Sequence, residues 1–122
     1  MKALIVDDQA SIRGMLKMLV SELKFEQILE AENGVDAVAS YKENKPELVL
    51  MDINMPKMTG VEALGLIMEH DSEAVVVMLT SQDTVLVVRQ CLEAGASHYI
   101  LKNSPPPQIL EQLKELMTDW YG

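Results

Sequence analysis

Five short apolar runs, separated by segments of helical periodicity, constrain the fold of this chain more than any other feature of the sequence. A strand that is apolar throughout is buried on both faces, and alternation with helices is typical of a parallel sheet covered on both sides. The sequence therefore predicts an α/β fold, a flavodoxin-like doubly wound sheet of five parallel strands in the order 2-1-3-4-5 with five helices. The runs are Ala3 to Val6, Gln27 to Ala31, Leu48 to Met51, Ala74 to Leu79 and His98 to Leu101.

Local signals mark the helices between these runs. Asn33 is predicted to cap the second helix, and Thr59 with Glu62 three positions later forms a capping-box pattern before the third. The fourth helix has the weakest signal, because residues 85–88 (Val-Leu-Val-Val) also favour a strand. Gly95, a residue typical of helix ends, favours the helix. A fifth helix is predicted after Ser104 and three prolines.

Composition limits the classes of function. The 122 residues suit one domain, 1–122, and the net charge of −9 disfavours direct binding to nucleic acids or anionic membranes. No apolar stretch is long enough for a membrane span, and Asp7 follows Met1 too closely for a signal peptide. A cytoplasmic location is expected. The single cysteine, Cys91, is predicted to be a small buried hydrophobic residue.

Polar residues follow four of the five predicted strands: Asp7 with Asp8, then Asp52, Thr80 and Lys102. The carboxyl ends of parallel strands meet at one edge of the sheet, where such folds bind their ligands. Three carboxylates at one edge repel one another unless a cation lies among them. Oxygen ligands suit a hard divalent ion, and Mg²⁺ also shares its coordination shell with phosphate.

This arrangement predicts phosphoryl transfer to an aspartate. A carboxylate can attack phosphorus, while a metal ion and the Lys102 ammonium neutralise the phosphoryl oxygens. The hydroxyl of Thr80 could then donate a hydrogen bond to one of those oxygens.

With these markers in order from Leu4 to Met117, the chain resembles the receiver domains of two-component response regulators, and most of all the single-domain chemotaxis-type regulators. The markers are Asp7-Asp8 after the first strand, Asp52 within Leu50-Met51-Asp52-Ile53-Asn54-Met55-Pro56, Thr80 after the fourth, and Tyr99 three residues before Lys102.

The resemblance implies a role for each marker. Asp52 is expected to be the phospho-acceptor, Asp8 a direct Mg²⁺ ligand and Asp7 a ligand largely through water, with Asn54 offering its backbone carbonyl. Lys102 is expected to contact the phosphoryl group. Thr80 and Tyr99 are expected to form a switch pair, in which the hydroxyl moves to the phosphate and the ring turns inward.

The resemblance also implies a regulatory domain rather than an enzyme, one that only promotes its own phosphorylation and dephosphorylation. The expected donor is a sensor histidine kinase or a histidine phosphotransfer protein. The expected output face is helix 4, strand 5 and helix 5, which binds a downstream target or forms a phosphorylation-dependent dimer. Leu86 and Val87 on that fourth helix are either loosely buried or exposed for such a partner.

Two departures from the family pattern leave questions open. Receivers commonly have proline after the lysine, joined by a cis peptide bond, whereas Asn103 follows Lys102 here. This bond is either cis at a cost of about 3 to 4 kcal/mol or trans. Ser81 stands where the family more often has alanine or glycine. Together with Gln82 it could alter access to the phosphoryl group, so the lifetime of that group stays open.

Three alternative functions share part of this pattern. A haloacid dehalogenase-type magnesium phosphatase also uses a strand-end aspartate, but it needs a second aspartate where Asn54 stands. A flavodoxin-like electron carrier needs a phosphate loop after the first strand, where Asp7 and Asp8 would repel phosphate. A pseudo-receiver that only binds partners usually lacks part of the acidic set. Taken singly, the acidic pair could be a solvated turn, Lys102 a surface residue and Tyr99 a half-buried strand aromatic.

Overall fold

The computed structural model describes residues 1–81 and 85–121, and the strands and helices alternate along them. The strands form one parallel sheet in the order β2-β1-β3-β4-β5, which confirms the predicted fold and strand order. The elements are β1 Lys2–Val6, α1 Ala10–Ser21, β2 Gln27–Ala31, α2 Gly34–Asn44, β3 Leu48–Asp52, α3 Gly60–His70, β4 Val76–Thr80, α4 Val85–Glu93, β5 His98–Leu101 and α5 Pro106–Tyr121.

The two faces of the sheet pack against different helices. Successive side chains of β1 alternate between them, so that Leu4 belongs to the cluster with α2, α3 and α4, and Ile5 belongs to the cluster with α1 and α5. Strands β3 and β4 are buried along their whole length. Two-sided coverage explains why these strands are continuously apolar rather than alternating.

The predicted helix signals are confirmed. The Asn33 side chain accepts a 2.9 Å hydrogen bond from the Asp36 backbone N–H, and Thr59 with Glu62 forms a complete capping box. Residues 85–88 are helical, and Gly95 follows α4 with a positive φ of 110°. Cys91 on α4 is buried, as predicted.

Three strands differ from the predicted apolar runs by one or two residues at an end, and the largest difference is at the start of β4. β4 begins at Val76, although its apolar run starts at Ala74, because the Ala74 backbone N–H bonds to the Asp71 carbonyl in the preceding turn. An apolar residue indicates burial rather than strand structure, and Ala74 is buried although it lies outside the strand. Among the helices of the described residues, none has both the length and the hydropathy that crossing a membrane requires.

Candidate functional site

Three carboxylates meet at the carboxyl edge of the sheet. Asp52 is the last residue of β3 and Asp7 follows β1, and these strands are neighbours in which Val6 pairs with Met51. One oxygen from each of Asp7, Asp8 and Asp52 lies within 4.8 Å of the others. Asp7 and Asp52 are buried, whereas Asp8 is exposed. The predicted acidic cluster is therefore present and reaches solvent at Asp8.

Lys102 lies between two of these carboxylates. Its Nζ atom is 2.8 Å from Asp7 Oδ2 and 3.3 Å from Asp52 Oδ1, and its side chain is 14% exposed. Its backbone N–H donates a 2.8 Å hydrogen bond to the Thr80 carbonyl, which fixes the start of the loop after β5. No cis peptide bond occurs in residues 1–81 and 85–121, so the Lys102–Asn103 bond is trans, one of the two geometries that the sequence left open.

Electrostatics at the site favour a proton on Asp52 and a positive charge on Lys102. Burial raises the pKa of the Asp52 carboxyl and the nearby Asp7 adds to the rise, while Lys102 acts in the opposite direction. Burial alone would lower the pKa of Lys102, but its contacts with Asp7 and Asp52 outweigh it and raise that pKa. The ammonium therefore remains charged at neutral pH.

Asp7 is held from several sides. Its backbone N–H donates to the Ala31 carbonyl at 3.2 Å, and its Oδ1 atom accepts a 2.9 Å hydrogen bond from the Gln9 N–H. Its backbone carbonyl accepts a 2.8 Å hydrogen bond from Arg13 Nη1. The fully buried Oδ2 atom has the ion-pair contact with Lys102, but it accepts no well-directed hydrogen bond from any described residue.

These donors fit a hard divalent cation. Three carboxylates and one ammonium leave two formal negative charges at the site. Lys102 compensates only part of this negative charge, and a bound cation would compensate the rest. Oxygen ligands with solvent access at Asp8 suit an ion that keeps part of its water shell.

The remaining predicted site residues lie at varying distances from the cluster. Thr80 is buried and ends β4, one residue beyond Leu79, which pairs with Asp52. Tyr99 lies farther from the carboxyl edge of the sheet, where it pairs with Met78 of β4. It is half-buried, and its ring stacks on that of His98 with 5.6 Å between the ring centroids.

The other residues named from the sequence lie in loops near the site and on α4, and they differ in exposure. Asn54, two residues after Asp52, is exposed, as is Ser81, whereas Gln82 lies outside the described residues. The two α4 residues with open alternatives differ from each other: Leu86 is 67% exposed, while Val87 packs on the core.

Arg13 is a further residue beside the site, and no sequence motif marks it. It lies on α1, where its guanidinium contacts the Asp7 backbone and two glutamates at the end of β2. The only local signal is a basic residue early in α1 together with Glu30 near the end of β2 and Glu32 after it, a pattern that belongs to no recognised motif.

Comparisons with known proteins agree with this geometry. The family model for the response regulator receiver domain matches residues 3–114. The chain is 41% identical to the chemotaxis protein CheY of Listeria monocytogenes, over 94% of this chain and 97% of that protein. It is 39% identical to the CheY of Bacillus subtilis, over 96% and 98% respectively.

A solved structure is also similar. The CheX-CheY-BeF₃-Mg²⁺ complex from Borrelia burgdorferi contains a chain that is 32% identical, with a TM-score of 0.89, covering 95% of this chain and 88% of that one. Sequence and fold thus agree over nearly the whole chain. The chain belongs to the response regulator receiver domain family, whose members are phosphorylation-activated signalling switches of two-component systems.

Proposed function

We propose that this chain accepts a phosphoryl group on Asp52 in a magnesium-dependent reaction, with a sensor histidine kinase or histidine phosphotransfer protein as donor. The observation that carries the proposal is the position of the Asp52 carboxylate, 3.3 Å from Lys102 and within the carboxylate cluster. Asp7 also contacts Lys102 but is fully buried, and Asp8 is not among the described ion-pair partners of the ammonium. Asp52 is thus the acid that contacts Lys102 and is not completely buried, since 8% of its side chain is exposed.

The chemistry follows from these neighbours. An Asp52 oxygen forms a bond to phosphorus while the bond from phosphorus to the donor nitrogen breaks, and the electron pair of that bond leaves with the nitrogen. Lys102 supplies positive charge to a phosphoryl oxygen. The protonated form of Asp52, which burial favours, is not nucleophilic. A bound Mg²⁺ would supply further neutralisation of charge on the phosphoryl oxygens.

The donors for that ion are proposed from the same cluster. Asp8 and Asp52 would bind the ion directly, Asp7 largely through water, and Asn54 through its backbone carbonyl. The Borrelia burgdorferi complex contains BeF₃ and Mg²⁺, which supports the choice of ion. The excess of three clustered carboxylates over the one ammonium of Lys102 supports a bound cation independently.

Signalling would proceed through Thr80 and Tyr99. The Thr80 hydroxyl moves toward the phosphoryl group, and the Tyr99 ring follows into the space that is vacated. The surface of α4, β5 and α5 then changes shape, where Leu86 is 67% exposed. That surface would bind a downstream target or form a phosphorylation-dependent dimer.

We further propose a single receiver domain over residues 1–122, acting in the cytoplasm and promoting its own phosphorylation and dephosphorylation.

Mass spectrometry after incubation with a small-molecule phosphodonor and Mg²⁺ tests the proposal. One phosphoryl group per chain is expected, and Asp52→Asn should abolish it. Asp119→Asn, the same substitution at an exposed position on α5, is the matched control and should be labelled as wild type is. Labelling of Asp52→Asn at the wild-type rate would contradict the assignment of the acceptor.

A further inference from the structure

Arg13 borders the acidic cluster without belonging to it. Its side chain is 12% exposed, although it is an arginine on a surface helix. Nη1 donates a 2.8 Å hydrogen bond to the Asp7 carbonyl, Nε lies 3.3 Å from a Glu30 oxygen, and Nη2 lies 3.6 Å from a Glu32 oxygen. One guanidinium therefore joins α1, the end of β1 and the end of β2.

The Asp7 carbonyl belongs to the peptide group that joins Asp7 to Asp8. Because a peptide group is planar, a hydrogen bond that fixes this oxygen also fixes where the Asp8 Cα lies and the direction from which its side chain starts. The Asp8 carboxylate itself is exposed, and within residues 1–81 and 85–121 no hydrogen bond or ion pair holds it. Its orientation thus depends on its backbone.

The two glutamates keep the guanidinium in place. A guanidinium is a rigid planar group, so contacts from Nε and Nη2 to Glu30 and Glu32 determine where Nη1 points. Lys17, one helical turn later, shares Glu30 at 3.4 Å but has no contact with Asp7, and it is 52% exposed. Lys17 is therefore a suitable control, because it shares the partner Glu30 with Arg13 but does not contact Asp7.

We propose that Arg13 is a positioning residue for the divalent-cation site: by fixing the Asp7–Asp8 peptide, it pre-orients the Asp8 carboxylate for the ion. This inference rests on the proposed function, since it takes Asp8 as a metal ligand. It assigns Arg13 no contact with the ion or with the phosphoryl group.

If Arg13 acts only through its charge, its loss should raise the affinity for Mg²⁺, whereas if it positions Asp8, its loss should lower that affinity. Removing a positive charge beside a cation site strengthens cation binding, because a repulsive charge is lost. Loss of a group that orients a ligand weakens metal binding, typically by about 10- to 100-fold. The direction of the change in Mg²⁺ affinity therefore separates the two roles, and a general loss of fold stability produces neither.

The experiment is calorimetric titration with Mg²⁺ well below the melting temperature, on wild type, Arg13→Gln and Lys17→Gln. Arg13→Gln is expected to bind Mg²⁺ about 10-fold more weakly. Lys17→Gln, which removes the same charge and the same Glu30 partner, is expected to bind as well as wild type or more tightly. Circular dichroism confirms that each variant is folded.

Arg13→Lys covers the case in which the glutamine variant does not fold. It keeps the charge, but one nitrogen cannot contact the Asp7 carbonyl and both glutamates together, so weaker binding than wild type is expected. Wild-type affinity in either Arg13 variant would overturn the positioning role while the proposed metal site stands. Absence of Mg²⁺ binding by wild type would overturn the proposed function and this inference together.

Discussion

Lys102 reaches from the end of β5 to the buried carboxylate of Asp7, with 2.8 Å between Nζ and Oδ2. Their strands are not neighbours, because β3 and β4 lie between β1 and β5 in the sheet. The ion pair therefore bridges the carboxyl edge over the strand that carries Asp52. A phosphoryl group on Asp52 would compete with Asp7 for the same ammonium.

Replacing Lys102 by Met should lower the free energy of unfolding of the metal-free protein by about 3 kcal/mol, because Asp7 would be left as a buried carboxylate without its cation. The chain should still fold and still bind Mg²⁺, but phosphorylation should no longer change its spectra. Urea unfolding and nuclear magnetic resonance measure the two effects. Lys114→Met, at an exposed position on α5, is the control. Equal stability of the two variants would argue against the ion pair.

Asp8→Asn should raise the melting temperature of the metal-free protein and remove most of its stabilisation by Mg²⁺. Asp8 is one of three clustered carboxylates and adds to the charge that raises the pKa of Asp52. The gain without metal should be modest, up to about 1 kcal/mol, since Asp8 is exposed. Wild type should gain stability with the logarithm of Mg²⁺ concentration. A variant that is less stable without metal, or that gains as much from Mg²⁺, would refute the cluster as a metal site.

The stability of the metal-free protein should depend on pH through Asp52. Its folded-state pKa is raised above the ordinary value of 3.8, so the folded state holds more protons than the unfolded state above that pH. This contribution is fully present below pH 3.8 and is lost as pH rises through the folded-state pKa. Asp52→Asn should therefore gain stability relative to wild type over that window. Urea unfolding of both proteins across the acidic range measures the difference, and a difference that is constant with pH would contradict the raised pKa.

Two glycines of α3 should respond oppositely to alanine. A Cβ atom at Gly60 would lie 2.1 Å from the Asp52 carbonyl oxygen, so the Asp52 backbone must shift. Gly60→Ala should cost about 1 to 3 kcal/mol and slow labelling by a phosphodonor. A Cβ atom at Gly65 meets nothing within 4 Å, and Gly65→Ala should stabilise the helix by up to about 1 kcal/mol. Thermal melts and labelling rates test both, and similar effects of the two substitutions would contradict the predicted contact.

Much of this fold could be predicted from the sequence, because buried strands and helix ends have recognisable local sequence patterns. The apolar run from Leu48 to Met51 and the capping pattern of Thr59 with Glu62 each reflect forces within a few residues. The convergence of Asp7 and Asp52 was also predictable, since parallel strands end at one edge.

Other features could not be predicted because they depend on distant partners. Val87 and Leu86 are adjacent and similarly apolar, yet only Val87 packs on the core. The burial of Arg13 depends on where β2 places Glu30 and Glu32, and the sequence does not report that geometry. The trans bond after Lys102 is likewise a property of the folded loop.

The strand order also determines when in folding the acidic cluster can form. β1 and β3 are neighbours in the sheet, but all of α1, β2 and α2 lies between them in the chain. Asp7 and Asp52 therefore remain apart until that whole segment has closed as a loop and β1 has paired with β3. We therefore expect the site to form late in folding. A cation bound there would act on the kinetics mainly by slowing the escape from the native state.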